Sequence, residues 1–224
     1  MPVRNLLGRT LTFPTLLVID FDHTLIHAVE AEMAAQIPVL WRRFAAFNLE
    51  EYGYHVFVRP HVIAFLRFVF AYPMLFRVAF WTAGTRKYAS MIYTGIMHLV
   101  NMPEAIVHAL WDRSHTTVTK ISLVKDLNHI CESLAEPMSA CLLLDDDARH
   151  ALYPANAAAR RLKVKPFHVF GAGAEKDLFF YYLHKDFRSQ VKQHFDTQKR
   201  RRKARGRRSS ISEVAVQLSK TWCM

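Results

Sequence analysis

The stretch LLVIDFDHTLIHA, residues 16–28, contains two acids one residue apart, directly after an apolar run. Residues 15–20 (TLLVID) have the short, continuous apolar character of a strand that is buried on both faces of a parallel sheet. Asp20 and Asp22 end this run, and Thr24 follows two residues later. The pattern therefore predicts polar side chains at the carboxyl end of a core strand, where open α/β sheets bind their ligands.

Two further apolar runs end in the same way. Residues 76–81 (FRVAFW) lead to Thr82, and residues 139–147 (SACLLLDDD) end on three acids. Segments with helical character separate these runs, and strands that alternate with helices predict an α/β fold with a parallel sheet sandwiched by helices. Because parallel strands place their carboxyl ends at one edge, we expect the acids and Thr82 to converge there.

Helices are expected over several intervening segments. Residues 30–51 are rich in Ala, Glu, Leu and Phe and are predicted to be helical with an interruption near Pro38, followed by a short strand at 55–58. Further helices are predicted over residues 85–100, 122–134 and 175–195.

An apolar run at residues 62–81 has the length of a membrane span. Arg67, Pro73 and Arg77 interrupt it, and a helix followed by a buried strand explains it better. No membrane partner is therefore expected.

The cysteines and the N-terminal residues favour an intracellular protein. Cys131, Cys141 and Cys223 are odd in number and lack CxxC spacing, which is typical of a reducing compartment. The first 14 residues contain too short an apolar stretch for a signal peptide.

Positive charge is concentrated near the C-terminus. The run KRRRKARGRR, residues 199–208, supplies eight of the formal net charge of +11. The run predicts a solvated segment that acts in nuclear import or in non-specific contact with nucleic acid. Three parts are expected: a globular domain at 1–195, a basic disordered linker at 196–210 and a short C-terminal helix at 211–224.

Crowded carboxylates at one sheet edge point to a bound cation. Like charges raise each other's pKa and oppose folding, and a hard divalent cation with oxygen ligands relieves both effects. Mg²⁺ suits this donor set better than zinc, because no His/Cys set is nearby, and Mg²⁺ commonly handles phosphate.

Five ordered segments resemble the haloacid dehalogenase (HAD) superfamily, and within it the RNA polymerase II C-terminal-domain phosphatases (the FCP/SCP or NLI-interacting-factor-like family). These segments are DFDHTL (20–25), which matches DxDxT, VRPHVIAFL (58–66), WTAGTRKYASMI (81–92), WDRSH (111–115) with a later KDL at Lys125, and LLLDDD (142–147). The resemblance implies the HAD-like fold, with small insertions that form a minimal cap.

The resemblance also implies catalytic roles. Asp20 corresponds to the nucleophile that forms an aspartyl-phosphate, and Asp22 to the general acid and base. Thr82 and Lys125 correspond to the pair that binds the phosphoryl group, although Thr82 alone is also a candidate N-cap for the following helix.

Metal and substrate residues follow from the same resemblance. The implied ligands of Mg²⁺ are Asp20, Asp22, Asp146 and Asp145. The implied substrate-binding residues are Thr24, Gly84 and Arg113. The fourth segment reads DDDAR, so the choice of ligand among its three acids stays open, and so does the effect of His23 within DFDHTL.

The expected function is a Mg²⁺-dependent protein serine/threonine phosphatase with phosphoserine or phosphothreonine protein substrates. One alternative is a non-catalytic phosphoprotein-binding or scaffold protein. Another is a viral nucleocapsid or DNA-associated protein in which the basic run matters most. The enzyme is favoured over the scaffold by the presence of Asp20, Asp22, Thr82, Lys125 and Asp146.

Overall fold

A computed structural model describes residues 10–37, 39–42, 45–120, 122–170 and 173–204. The strands in these ranges are β1 (Thr15–Ile19), β2 (Ile26–Glu30), β3 (Ala45–Leu49), β4 (Tyr54–Val58), β5 (Phe76–Trp81), β6 (Val107–Trp111), β7 (Thr117–Val118), β8 (Leu123–Val124), β9 (Cys141–Asp145) and β10 (Arg160–Lys163). The α-helices are α1 (Val39–Arg42), α2 (Val62–Phe70), α3 (Arg86–Val100), α4 (Leu127–Ser133), α5 (Ala148–Leu152) and α6 (Phe179–Ala204).

A five-stranded parallel sheet forms the centre of the fold, in the order β10-β9-β1-β5-β6. Ile19, the last residue of β1, pairs with Leu144 on one side and with Phe80 on the other. The carboxyl ends of β1, β5 and β9 therefore lie side by side, which confirms the predicted parallel sheet and the edge it creates.

The apolar runs become strands because both of their faces are covered. Every residue of β1 is buried. Leu127 and Ile130 of α4 belong to the same core cluster as Leu16 and Val18. Burial of this kind contributes about 25 cal/mol for each Å² of apolar surface removed from water, which favours continuous apolar strands at these positions.

A second sheet is inserted between β1 and α2. The helix predicted over residues 30–51 forms only as short turns such as Met33–Gln36 and Val39–Arg42, and the prediction is wrong for β3. Strands β2, β4 and β3 form an antiparallel sheet in that order, and Phe47 and Leu49 of β3 pair with Val56 and Tyr54 of β4. Helix propensity differs little among these residue types, so cross-strand pairing decides the local structure.

The other predicted elements agree more closely with the structure. The run at 62–81 forms α2 and β5, and the helix predicted at 85–100 is α3. The N-cap of α3 is Thr85, whose side chain accepts from the backbone N–H of Tyr88, so Thr82 does not serve as the cap. The segment 122–134 begins as strand β8 before α4 starts at Leu127.

Helix α6 continues past the predicted domain boundary at residue 195, through Ala204. Residues 196–204 are therefore helical rather than a disordered linker. Gln, Lys and Arg have good helix propensity, and cations near a helix C-terminus interact favourably with its dipole. The rest of the basic run and the C-terminal helix predicted at 211–224 lie outside the described residues.

The chain divides into two compact units, residues 1–186 and 187–224. The first contains the five-stranded sheet, the antiparallel sheet and a two-stranded sheet of β7 and β8, and the second contains the remainder of α6. Within the described ranges, none of the helices combines the length and the apolar character that a membrane crossing requires.

Candidate active site

Lys125 joins the ends of two neighbouring central strands. Its Nζ donates to Asp20 Oδ1 over 2.6 Å and to Asp145 Oδ2 over 2.8 Å, and its side chain is only 1% exposed. Strands β1 and β9 position the two carboxylates, and the loop between β8 and α4 supplies the lysine. Three residues predicted from separate segments thus form one buried cluster.

The backbone of Lys125 is fixed by two residues to which the sequence assigned no role. Asn156, which is fully buried, donates from Nδ2 to the Lys125 carbonyl over 2.7 Å and accepts at Oδ1 from the Leu127 N–H over 2.8 Å. The Lys125 N–H donates to His150 Nδ1 over 3.3 Å. A buried side-chain amide with these partners positions the lysine against the sheet edge.

Burial and charge shift the pKa values of this cluster. Burial raises the pKa of Asp20 well above its ordinary value, Lys125 opposes the shift, and Asp145 and Asp22 add to it. Burial by itself lowers the pKa of Lys125, but the carboxylates of Asp145 and Asp20 outweigh burial and raise it. The lysine therefore stays charged, and its single ammonium group contacts two carboxyl groups.

A third carboxylate, Asp146, completes an all-oxygen donor set. One oxygen from each of Asp20, Asp145 and Asp146 lies within 4.8 Å of the others. Thr24 fixes Asp146: its Oγ1 accepts from the Asp146 N–H over 3.1 Å and donates to Asp146 Oδ1 over 3.3 Å. Burial raises the pKa of Asp146, and Asp145 adds to the shift. Hard oxygen donors with unbalanced negative charge suit Mg²⁺.

Asp22 faces a different set of partners. Its Oδ2 accepts from the Thr82 hydroxyl over 3.3 Å, and its Oδ1 accepts from the Tyr88 hydroxyl over 2.5 Å. Burial raises the pKa of Tyr88, and the nearby Asp22 carboxylate raises it further. The Asp22 side chain lies outside the three-carboxylate set, so a metal contact of this residue would come from its backbone.

Gly84 allows Tyr88 to reach Asp22. A Cβ at Gly84 would lie 2.7 Å from Cδ1 of the Tyr88 ring, which is closer than real Cβ contacts. The Gly84 N–H also donates to Thr82 Oγ1 over 3.0 Å. A residue without a side chain is therefore required between the two hydroxyl donors.

Arg113 lies beside this loop rather than within the carboxylate cluster. Its Nε donates to the Ala83 carbonyl over 2.7 Å, and its backbone N–H donates to the Gly84 carbonyl over 2.8 Å. The residue is exposed, so its remaining guanidinium nitrogens are available to a ligand at the mouth of the site.

Asp147 is separated from the other acids by its hydrogen bonds. Its side chain caps α5 by accepting from the Arg149 N–H over 2.8 Å and also pairs with the Arg149 guanidinium. The DDD segment therefore contributes its first two acids to the cluster and its third to a helix cap.

Arg59 supports the loop that contains the DxDxT segment, a role that sequence reasoning missed. The guanidinium is buried, pairs with Asp177 over 2.8 Å and donates to the Thr24 carbonyl over 3.2 Å. It also lies over the rings of Phe179 and Phe180. The sequence signal for this pair was that both VRPHVIAFL, which contains Arg59, and KDL at 176–178, which contains Asp177, resemble segments of the family.

The site and fold together define a class of α/β protein in which acids, a hydroxyl and a lysine meet at the ends of parallel strands, an arrangement suited to phosphoryl transfer. The family model described as NLI interacting factor-like phosphatase matches residues 15–200. The chain belongs to this family of phosphatases.

The individual proteins that this chain resembles share little of its sequence. The CTD phosphatase-like protein 355R of Invertebrate iridescent virus 3 is 29% identical over 92 residues, which are 40% of this chain and 46% of that protein. A structure of fission yeast RNA polymerase II CTD phosphatase Fcp1, bound to beryllium fluoride, has a TM-score of 0.48 at 17% identity and covers 68% of this chain and 41% of that chain. A further structure of Fcp1 has a TM-score of 0.48 at 18% identity, with coverages of 80% and 52%. The chain thus spans about half the length of these relatives.

Proposed function

We propose that this chain is a Mg²⁺-dependent phosphatase that hydrolyses phosphoserine or phosphothreonine in proteins, through an aspartyl-phosphate at Asp20. The observation that carries the proposal is the unequal use of the two Asp20 oxygens. Oδ1 accepts from Lys125, whereas Oδ2 has no hydrogen-bond donor in the described part of the chain. The side chain is 10% exposed, so this oxygen is available to attack phosphorus.

The neighbouring acids are less suited to act as nucleophile. Both oxygens of Asp145 are occupied, one by Lys125 and the other by the Asp147 N–H at 2.8 Å. Both oxygens of Asp22 accept from hydroxyl groups. Asp20 alone of these three combines burial, a cationic partner and an unoccupied oxygen.

The first step transfers the phosphoryl group to Asp20. An Asp20 oxygen forms a bond to phosphorus, the bond from phosphorus to the seryl or threonyl oxygen breaks, and Asp22 supplies a proton to that oxygen. In the second step, Asp22 takes a proton from water as the water oxygen attacks phosphorus. The Asp20 carboxylate then leaves, so the net reaction is hydrolysis.

Other residues bind the transferring group. Lys125 neutralises charge on it, and the Thr82 hydroxyl and the Gly84 region provide donors at the opposite side. Asp20, Asp145 and Asp146, with the backbone of Asp22, would hold Mg²⁺. When bound, Mg²⁺ supplies positive charge that stabilises the phosphoryl oxygens.

The substrate assignment rests on the family. Its name and the name of the viral relative both refer to phosphatases, and the relatives titled CTD phosphatase act on a protein domain. Exposed Arg113 at the mouth would contact the substrate phosphate.

Hydrolysis of phosphoserine peptides by the full chain with Mg²⁺, and after EDTA treatment, tests this proposal. Asp20→Asn should lose activity by at least about 1,000-fold, because no nucleophile remains. Asp22→Asn should slow phosphopeptides by about 100- to 10,000-fold. With an aryl phosphate, whose leaving group needs no proton, Asp22→Asn should still release one equivalent of phenol in a burst.

Asp147→Asn is the matched control, because asparagine also caps helices and Asp147 lies outside the carboxylate cluster. Its activity should stay within about threefold of the wild type. Full activity of Asp20→Asn, or activity that EDTA leaves unchanged, would contradict the proposal.

The basic run supports a further proposal, that residues 199–208 contact nucleic-acid phosphates and direct the protein to the nucleus. Lys199, Arg200 and Arg201 are exposed on α6. Contacts of this kind depend on salt and not on base sequence. Replacing the basic residues of the run by glutamine should weaken DNA binding equally for unrelated sequences and flatten its salt dependence.

A further inference from the structure

Three histidines meet beside the DxDxT loop: His23 and His27, which are four residues apart in sequence, and the distant His168. Their position corrects the expectation that no His/Cys set lies near the carboxylates. The ring centroids lie 4.4 Å apart for His23 and His168, 5.0 Å for His23 and His27, and 5.3 Å for His27 and His168. One ring nitrogen from each of the three lies within 4.8 Å of the others. The mechanism above uses none of these imidazoles.

The histidines lie on two segments, residues 23–27 and the segment after β10, which are joined by a backbone hydrogen bond. His23 follows Asp22 with a left-handed φ of 56°, and its carbonyl accepts from the Phe167 N–H over 2.7 Å. His27 lies in β2, and His168 lies in the segment after β10. The convergence is therefore built into the backbone and does not depend on the side chains alone.

The hydrogen bonds leave His23 and His168 able to ligate. His23 Nδ1 lies 3.2 Å from the Phe167 carbonyl, which can only accept, so Nδ1 donates and the neutral tautomer has its lone pair on Nε2. An imidazole that donates its other N–H to a backbone carbonyl is the usual state of a metal ligand. His168 is exposed, and its ring makes no hydrogen bond among the described residues.

His27 is the member whose hydrogen bonding must change. Its Nδ1 accepts from the Val169 N–H over 3.0 Å. Burial, with smaller contributions from His23 and His168, lowers the pKa of His27 to about 4, so the ring is neutral. A neutral ring is required for ligation, and a bond to a cation would replace the bond from Val169.

We propose that His23, His27 and His168 form a binding site for a late first-row divalent cation of the Zn²⁺ type, separate from the carboxylate site. Three imidazole nitrogens suit Zn²⁺, whereas the oxygen donors around Asp20 suit Mg²⁺. Zn–N bonds of about 2.0–2.1 Å place tetrahedral ligands about 3.4 Å apart, so the imidazoles must rotate inward. Because His168 is exposed, water can supply a fourth ligand.

Metal binding at the histidines would affect the DxDxT loop. His23 directly follows the acid/base Asp22 and precedes Thr24, which holds Asp146. A cation bound by His23 would therefore restrain the backbone on both sides of it. This consequence extends beyond the proposed hydrolysis, which needs no metal at the histidines.

Cobalt and zinc binding to the metal-free full chain tests the site directly. Excess Mg²⁺ is kept present so that the carboxylates are occupied. Co²⁺ should bind with one equivalent and give the intense visible bands of a tetrahedral site, and Zn²⁺ should displace it. His168→Ala should weaken binding by at least about 100-fold, because an exposed ligand is lost without disturbing the core.

Two further variants separate this site from others. His129→Ala, which removes an exposed histidine of α4, and Asp146→Asn should both keep the wild-type cobalt bands and affinity. The proposal is overturned if the wild type shows no saturable cobalt bands, if His168→Ala binds as tightly as the wild type, or if Asp146→Asn abolishes the bands. Each readout is independent of phosphatase activity, so failure here leaves the proposed hydrolysis untouched.

Discussion

The two acids of the DxDxT segment lie one residue apart in different surroundings. Asp20 is buried, and one of its oxygens accepts from the Lys125 ammonium at 2.6 Å. Asp22 is half-buried and accepts from two hydroxyl groups, those of Thr82 and Tyr88. An ammonium group can only donate, whereas a hydroxyl group can donate or accept.

This difference separates two kinds of chemical behaviour. Lys125 favours the ionised form of Asp20, because an ammonium group has no lone pair to offer a protonated acid, and it opposes the rise in pKa that burial causes. Asp22 can keep both hydroxyl contacts whether it is protonated or not, since each hydroxyl can reverse its role. The pattern of partners thus supports a nucleophile at Asp20 and a proton carrier at Asp22.

Lys125→Met removes the cationic partner that distinguishes Asp20 from Asp22, and we expect a larger effect from it than from Tyr88→Phe or Gly84→Ala. Two buried acids, Asp20 and Asp145, would lose their shared cation, and breaking a buried ion pair costs about 3–5 kcal/mol. Activity should fall by about 1,000-fold, because charge on the phosphoryl group is no longer neutralised. Urea denaturation and phosphopeptide hydrolysis measure the two effects.

Added Mg²⁺ should restore part of the lost stability of Lys125→Met, because a cation at the carboxylates replaces the missing charge. The control is Lys120→Met, which removes an exposed lysine nearby in sequence and should leave both stability and activity close to the wild type. If the two variants behaved alike, the distinction drawn for Asp20 would be wrong.

The sequence predicted that Asp20 and Asp145 lie at strand ends, because the signals for these two positions are local. A continuous apolar run that stops on acids indicates a buried parallel strand and its functional end, and this held for β1 and β9. Sheet topology then brings Asp20 and Asp145 together without further information. Lys125 was found through the family resemblance, since a lone lysine carries no such local pattern.

The Asp22 side and the histidines were harder to predict because they depend on contacts distant in sequence. Tyr88 reaches Asp22 across 66 residues, and His168 approaches His23 across 145. The strand at Ala45–Leu49 was predicted as a helix for a related reason, because its pairing with β4 decided its structure. Residue type alone does not encode which partner a hydroxyl or an imidazole will meet.

Tyr88→Phe removes a contact of Asp22 and leaves those of Asp20 in place, so it should lower activity less than Lys125→Met does. It removes one of two hydrogen bonds to a carboxylate, which is worth about 1.5–3 kcal/mol for a charged acceptor. We expect kcat to fall about 10- to 100-fold with little change in KM, because Asp22 is displaced while Asp20 and Lys125 are not. Steady-state kinetics with a phosphoserine peptide provide the measurement.

Gly84→Ala tests the same contact from the other side. Its Cβ would push the Tyr88 ring away, so it should lower kcat to a similar extent. The double variant should be no slower than the slower single variant, because both changes remove one hydrogen bond. Additive losses would show that Gly84 acts through something other than Tyr88.

His27→Asn tests the effect of burial through the pH dependence of stability, because burial shifts the pKa values of His27 and Asp20 in opposite directions. The pKa of His27 falls from 6.5 to about 4, so the unfolded chain binds more protons between these values. Stability from the neutral ring is therefore present above pH 6.5 and is lost as the pH falls towards 4. The raised pKa of Asp20 has the reverse effect. Its contribution to the free energy of unfolding is present below the pKa of an ordinary aspartate and is lost as the pH rises through the pKa of Asp20 in the folded state.

Asparagine cannot titrate in this range, and its side-chain oxygen can still accept from the Val169 N–H. Between pH 7.5 and pH 5, the wild type should therefore lose about 1–2 kcal/mol more of its free energy of unfolding than His27→Asn does. Urea denaturation at the two pH values, with a chelator present to exclude bound metal, gives the comparison. Equal losses in the two proteins would mean that His27 is protonated in the folded state, and the contrast with Asp20 would then rest on hydrogen bonding alone.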